Sequence, residues 1–341
     1  MKHRVLRNLR YVAALTGLSM LFGIALAIVQ GGLKADSFVN GAVDAFVVAG
    51  CLSTYHMFVF RGLLREQTRR FTFAGLLLLN SLVYLVIIVG GRVLGALISD
   101  ALGSPRRILD DPHWGQTLIL AAGLAVLINF AMQLGDLIGR GELIRFLSGR
   151  YHRPRGERRV FLFLDLASST TIAEKIGDEL FLDLLHRFYS DMTEVILQTG
   201  GSIYKYVGDE VIISWAPARA RRNYDCLRFP GLFQKELDRR EETYRERYGV
   251  VPRFRAAVHA GTVMTGEMGD LKKEIVYLGD VLNTTARVVE LCRALERPVL
   301  ATGDVMDTIG VVSSRDLRLE DLGEQSLRGK QGAVRVFAVG E

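Results

Sequence analysis

A chain of 341 residues that is 49% hydrophobic and 23% charged, with a mean hydropathy of +0.21, is too apolar to be disordered or collagen-like and long enough for about two domains. Cys51, Cys226 and Cys292 stand far apart with no CxxC spacing, which argues against a disulfide scaffold and a zinc ribbon. The net charge of +6 reads as arginines flanking membrane segments, not as a surface for a nucleic-acid polymer.

Four apolar stretches precede residue 140: Val12 to Val29, Phe38 to Phe60, Phe71 to Gly91 and Thr117 to Leu137. Each is about 18–23 residues long, enough at about 1.5 Å per residue to cross a hydrocarbon core of about 30 Å. The run from Leu76 through Val89 has almost none of the polar face that a helix in a soluble bundle needs. The first stretch follows Lys2, Arg4, Arg7 and Arg10, but its apolar part exceeds the usual ~7–15 residues of a signal peptide and reads as a retained helix.

Positive charge gathers in the N-terminal tail, in the second loop (Arg61, Arg65, Arg69, Arg70) and after the fourth stretch (Arg140, Arg145, Arg150, Arg153, Arg155). The first loop offers only Lys34, and the third sets Arg106 and Arg107 against Asp100, Asp110 and Asp111. The positive-inside rule then places both termini, and everything after residue 140, in the cytoplasm of a multi-pass protein of the inner (plasma) membrane. Asp44, near the start of the second helix, and Arg92, near the end of the third, fall near the outer face. They either snorkel independently or pair, with Asn80, Asn129 and Gln133 as further polar contacts within the bundle.

Residues 141–158 read as a linker: a short amphipathic helix, then a basic turn over Tyr151 to Gly156 with a boundary at Pro154. It serves as a passive tether or as a coupling element. Residues 159–341 form the second domain.

Val160 to Leu164 is a buried-strand run ending at Asp165. Helices are expected over Ser169–Ile176 and Glu179–Gln198, with Ser168, Ser169 and Thr170 capping the first. A hairpin follows: strand Ser202–Tyr206, turn Val207-Gly208-Asp209-Glu210, strand Val211–Trp215. A charged helix over about Tyr224–Tyr248 is expected to break at Pro230-Gly231. Strand Arg253–His259 is expected to turn through Ala260-Gly261 into Thr262–Met268, with Met264 and Met268 packed in the sheet. Helix Val281–Leu295 and short strands close an α+β sandwich, helices on a mostly antiparallel sheet. If the strands ending at Asp165 and carrying Asp209 are neighbours, both carboxylates project from one edge, a pair that suits Mg²⁺ beside substrate phosphates. An aspartate in a tight turn is equally ordinary turn chemistry.

Three linked motifs carry a resemblance: Phe163-Leu164-Asp165-Leu166, then Lys205-Tyr206-Val207-Gly208-Asp209-Glu210, then Gly279-Asp280-Val281-Leu282-Asn283-Thr284-Thr285-Ala286-Arg287. From Arg159 to Gly340 the chain resembles the catalytic domain of class III nucleotidyl cyclases, and the front end resembles membrane-anchored bacterial members. The fold class this implies is four transmembrane helices followed by an α+β cyclase domain, a ferredoxin-like or palm-like antiparallel sheet covered by helices. The implied activity is conversion of ATP to 3′,5′-cyclic AMP and pyrophosphate. The resemblance implies a head-to-tail homodimer with active sites at the interface. It also implies two divalent ions per site, Mg or Mn, held by Asp165 and Asp209 with Leu166 in the same metal set. Asn283 matches a ribose-positioning residue and Arg287 one that neutralises charge on the transferred phosphate. Arg255 and Lys330 match triphosphate contacts. Lys205 matches the base-reading lysine that donates to adenine N1. Val276 stands where family members that use ATP carry Asp or Thr, and valine accepts no side-chain hydrogen bond, so base stringency stays open. The implied partners are ATP, a second copy of the chain and the lipid bilayer, with a sensed ligand unidentified. The alternatives are a guanylyl cyclase and a receptor with an inactive cyclase-like dimerisation domain. A diguanylyl enzyme would carry a Gly-Gly-acidic-Glu-Phe hairpin where this chain has Val207-Gly208-Asp209-Glu210-Val211.

Overall fold

Residues 2–31, 35–63, 71–103, 114–138, 149, 151–310, 317–330 and 332–340 are described by a computed structural model of the protein. It divides into two units, Met1–Leu147 and Ser148–Glu341.

In the first unit the apolar runs form α1 (Lys2–Gly31), α2 (Ala35–Thr54, continued as a π-helical segment Tyr55–Leu63), α3 (Phe73–Ala101) and α4 (Trp114–Ile138). Three spans are long and apolar enough to cross a membrane: Asn8–Ala25, Phe38–Phe60 and Phe73–Ala101. Among the described residues the apolar part of α4 is shorter, Ala125–Gly135. Polar side chains instead turn inward. Tyr55 donates to Asn80 (2.9 Å), Asn129 donates to the Leu77 carbonyl (2.9 Å) and to Ser81 (3.0 Å), and Gln133 donates to Asn129 (2.9 Å). In a hydrocarbon surround such groups need partners within the bundle, so they fix how the helices pack.

The third helix outruns its expected end at Gly91 by ten residues, which corrects the placing of Arg92 near its terminus. Gly90-Gly91 does not stop it because Gly91 and Gly95 serve close packing. A Cβ at Gly91 would lie 2.9 Å from Val48 Cγ2, and one at Gly95 would lie 2.5 Å from Asp44 Oδ1. Asp44 therefore sits at the α2–α3 contact. Lys34, Arg65, Arg69, Arg70, Arg106, Arg107, Asp110, Asp111, Arg140, Arg145 and Arg150, on which the orientation rests, lie outside the described residues, as does the expected linker helix.

The second unit runs β1 (Arg155–Leu166), α5 (Ser169–Ile176), α6 (Asp178–Thr199), β2 (Ser202–Val207), β3 (Glu210–Trp215), α7 (Pro217–Arg221), α8 (Asp225–Arg239), α9 (Glu241–Tyr248), β4 (Phe254–Met268), β5 (Glu274–Leu278), α10 (Asp280–Ala294), β6 (Val299–Thr302), α11 (Gly303–Ile309), β7 (Arg318–Ser326) and β8 (Ala333–Gly340). The strands join in the order β2-β3-β1-β4-β6-β8-β7, with β5 also on β4. The sheet is mixed: β4–β6 is parallel and the other pairs are antiparallel.

The run Val160 to Leu166 is apolar because both faces of β1 are covered. Val160, Leu162, Leu164 and Leu166 pack with α6 and α8 residues such as Phe188 and Phe233, while Phe161 and Phe163 pack with α10 residues such as Val288 and Val289. Each such side chain contributes about 1.5–3 kcal/mol on burial. Asp165 interrupts the alternation on the α10 face, where the next apolar residue would otherwise stand.

Several local expectations fail for identifiable reasons. β1 starts at Arg155, so part of the expected basic turn is strand, paired with Thr265 and Met264 of β4. No turn occurs at Ala260-Gly261, and β4 runs unbroken for 15 residues, with Phe254 to Thr265 paired to β1. Gly261 is there because α10 crosses it: a Cβ would meet Val281 Cγ2 at 2.5 Å. Gly261→Ala is therefore expected to destabilise the domain by about 1–3 kcal/mol, read as a lower denaturation midpoint; an unchanged midpoint would contradict this packing account.

Pro230 does not break α8, whose end falls at Arg239. The proline sits early in the helix and is buried with Phe229 and Phe233, so their packing outweighs the lost hydrogen bond. Ser168 is the N-cap of α5, but its backbone is left-handed (φ 58°) and its side chain makes no capping bond, contrary to the expected capping role. Met264 and Met268 are exposed rather than packed.

Candidate active site

Asp165 lies directly opposite Glu210 on β3 and Arg255 on β4, so the three side chains share one face of the sheet edge. The hairpin turn needs a left-handed residue, which Gly208 supplies at φ 63°. Its tip is tied down by Tyr189 Oη donating to the Gly208 carbonyl (3.1 Å), and the Leu166 amide donates to the Asp209 carbonyl (3.3 Å). These bonds seat Asp209 beside Asp165, the neighbourhood that the two motifs predicted.

Arg255 Nη2 donates to Asp165 Oδ2 at 3.0 Å. Burial, then the Asp209 charge and hydrogen bond, nevertheless push the Asp165 carboxyl up to about 6. Burial, with Asp165 and Asp209, pushes Glu210 up to about 7. One arginine does not compensate this crowd of acids, and a divalent cation would. Among the described residues no cluster of three or more His, Cys, Asp or Glu side chains can hold a metal ion. Two carboxylates side by side, as Asp165 and Asp209 are, have the donor chemistry that suits Mg²⁺ or Mn²⁺ completed by water and substrate phosphates.

Asn283 and Arg287 lie one turn apart on α10, Asn283 exposed and Arg287 with 40% of its side chain exposed beside Glu290 (3.6 Å). Lys330 Nζ reaches the start of the same helix, 3.0 Å from Asp280 Oδ2 and 2.8 Å from Thr284 Oγ1. Arg255 thus stands with a carboxylate, and Lys330 at the start of the helix that carries Asn283 and Arg287. Lys205 is exposed on β2, and its Nζ lies 3.2 Å from Glu274 Oε2 on β5. Val276 is half-buried on that strand. Glu274 was not singled out in the sequence, because nothing local joins residue 205 to residue 274. His259 is buried against Thr302 (2.8 Å), and burial pulls its imidazole down to about 4. Cys226 and Cys292 are buried free thiols, pushed up to about 12 by burial.

Residues 154–340 match the Adenylate and Guanylate cyclase catalytic domain. The chain is 34% identical to Adenylate cyclase 2 of Rhizobium meliloti (strain 1021) over 321 residues, 93% of this chain and 86% of that one, a span that takes in both units. It is 27% identical to Adenylate cyclase of Anabaena cylindrica over 53% of this chain and 36% of that protein. A solved bacterial light-regulated adenylyl cyclase shares the fold, with a TM-score of 0.56 and 22% identity, over 65% of this chain and 64% of that one. The chain is an enzyme of the class III adenylate and guanylate cyclase family.

Proposed function

We propose that this protein is a membrane-anchored adenylyl cyclase, converting ATP to 3′,5′-cyclic AMP and pyrophosphate at sites shared between two copies of the chain. The observation that carries the reading is the Asp165–Asp209 pair held at one sheet edge beside Arg255. Divalent cations bound there would supply Lewis-acid charge to the attacking ribose oxygen and to the triphosphate. Asp165 and Asp209 hold that charge, with Leu166 beside them. Arg255 and Lys330 bind triphosphate oxygens. Asn283 orients the ribose so that its 3′-oxygen is in line with the α-phosphate. Arg287 stabilises the charge that develops on the α-phosphate. Lys205 donates to adenine N1.

Sharing between copies is the arrangement that the family resemblance implies, with carboxylates from β1 and the β2–β3 turn of one copy and Asn283 and Arg287 from α10 of the other. It is also supported by exposed apolar side chains on the hairpins. Met264 and Leu278 are opposite each other in the β4–β5 ladder and both are about half exposed, and Met268 and Leu271 continue the patch. A second copy would cover such a surface. Membrane anchoring is supported by three long apolar spans among the described residues, a fourth span rests on the sequence run Thr117 to Leu137, and the basic loops of the sequence support a cytoplasmic cyclase domain.

The base is tested by Lys205→Glu, which replaces a donor with an acceptor. ATP turnover should fall about tenfold or more relative to GTP turnover. Unchanged ATP kinetics would remove Lys205 from base recognition, and wild-type turnover of GTP alone would overturn the substrate reading.

A further inference from the structure

We infer that Glu274 is the acceptor for the exocyclic amine of adenine, taking the part that Val276 cannot play. The inference deepens the reading of ATP as substrate and rests on it. Burial alternates along β5, so Glu274, Val276 and Leu278 share one face while Ile275 and Tyr277 point to the other. Val276 is apolar, and Glu274, one pleat away on its face, carries a carboxylate. That carboxylate is drawn to Lys205, 3.2 Å from its Nζ.

Two further contacts hold β2 against β5: the Tyr204 and Tyr277 rings lie 4.7 Å apart, and the Tyr277 amide donates to Tyr204 Oη at 3.3 Å. The ammonium and the carboxylate are therefore presented side by side. Adenine presents the matching pair on its edge, the N1 acceptor next to the N6 amine donor. Neither residue is used up by the other, because an ammonium has three donors and a carboxylate about four lone-pair sites. Lys272 occupies Oε1 from outside at 2.7 Å. The two lysines hold the Glu274 carboxyl below its ordinary range, so it is an ionised acceptor at neutral pH. Both partners remain open to a ligand, with side chains 50% and 38% exposed for Lys205 and Glu274.

The test compares ATP with purine ribonucleoside triphosphate, which keeps N1 and lacks the 6-amino group. With full-length enzyme, Glu274→Ala should lower kcat/KM for ATP about tenfold to a hundredfold. Turnover of the analogue should stay within about twofold, which also reports an intact fold. Glu274→Gln, whose amide oxygen still accepts, should recover part of the ATP preference. An equal fall for both substrates would mean that Glu274 only positions Lys205, and no fall would remove it from the site; either result overturns the inference and leaves ATP as substrate. Wild-type enzyme that turns over GTP but not ATP would instead overturn the underlying reading.

Discussion

Replacing Asp209 with alanine is expected to lower cyclic AMP formation by more than about a thousandfold while leaving the domain folded. The carboxylate lies in a hairpin turn whose form depends on Gly208 and on the Tyr189 bond to its carbonyl, not on the Asp209 side chain. Burial is the main reason that Asp165 is pushed up to about 6 and Glu210 up to about 7, and removing Asp209 takes away one of the charges that add to it, so the metal-free domain should be no less stable. Asp165→Ala should be as inactive, but it leaves Arg255 without its carboxylate partner at 3.0 Å and so carries a structural cost. Asp209→Ala is the cleaner variant. Turnover within about tenfold of wild type by that variant, with circular dichroism unchanged, would be incompatible with a metal-holding pair.

Arg287→Ala is expected to reduce kcat by about a hundredfold to a thousandfold with little change in KM for ATP, because the lost interaction acts on charge that appears only in the transition state. The side chain has little structural work, since it is partly exposed and its ion pair among the described residues is with Glu290 at 3.6 Å. Arg287→Lys should restore part of the rate, limited by the loss of the planar fork. A rise in KM with kcat unchanged would assign Arg287 to ground-state binding instead.

The parts of the domain legible in the sequence are those whose signals are local. The continuous run Val160–Leu164 marks a strand buried on both faces, Gly208-Asp209 marks the hairpin, and the apolar positions Val281, Val288 and Val289 mark α10. The failures occur where a distant element decides. Gly261 looks like turn chemistry until α10 is laid across it, and Pro230 looks like a breaker until Phe229 and Phe233 are buried around it. Met264 and Met268 read as packing residues because one sequence does not tell a core face from an apolar face left open. Of the candidate site, the Asp165–Asp209 neighbourhood follows from two motifs, whereas Glu274 emerges only when β2 and β5 are brought together across 69 positions.

The central claim, ATP cyclisation at sites built from two copies, is tested most directly by mixing inactive chains. In an Asp209→Ala/Arg287→Ala heterodimer, one site carries both substitutions and the other carries neither. Random pairing makes about half the dimers mixed, each with one intact site of two, so cyclic AMP formation from ATP should recover to about a quarter of wild type. Confirmed heterodimers with no activity above either variant alone would contradict the account.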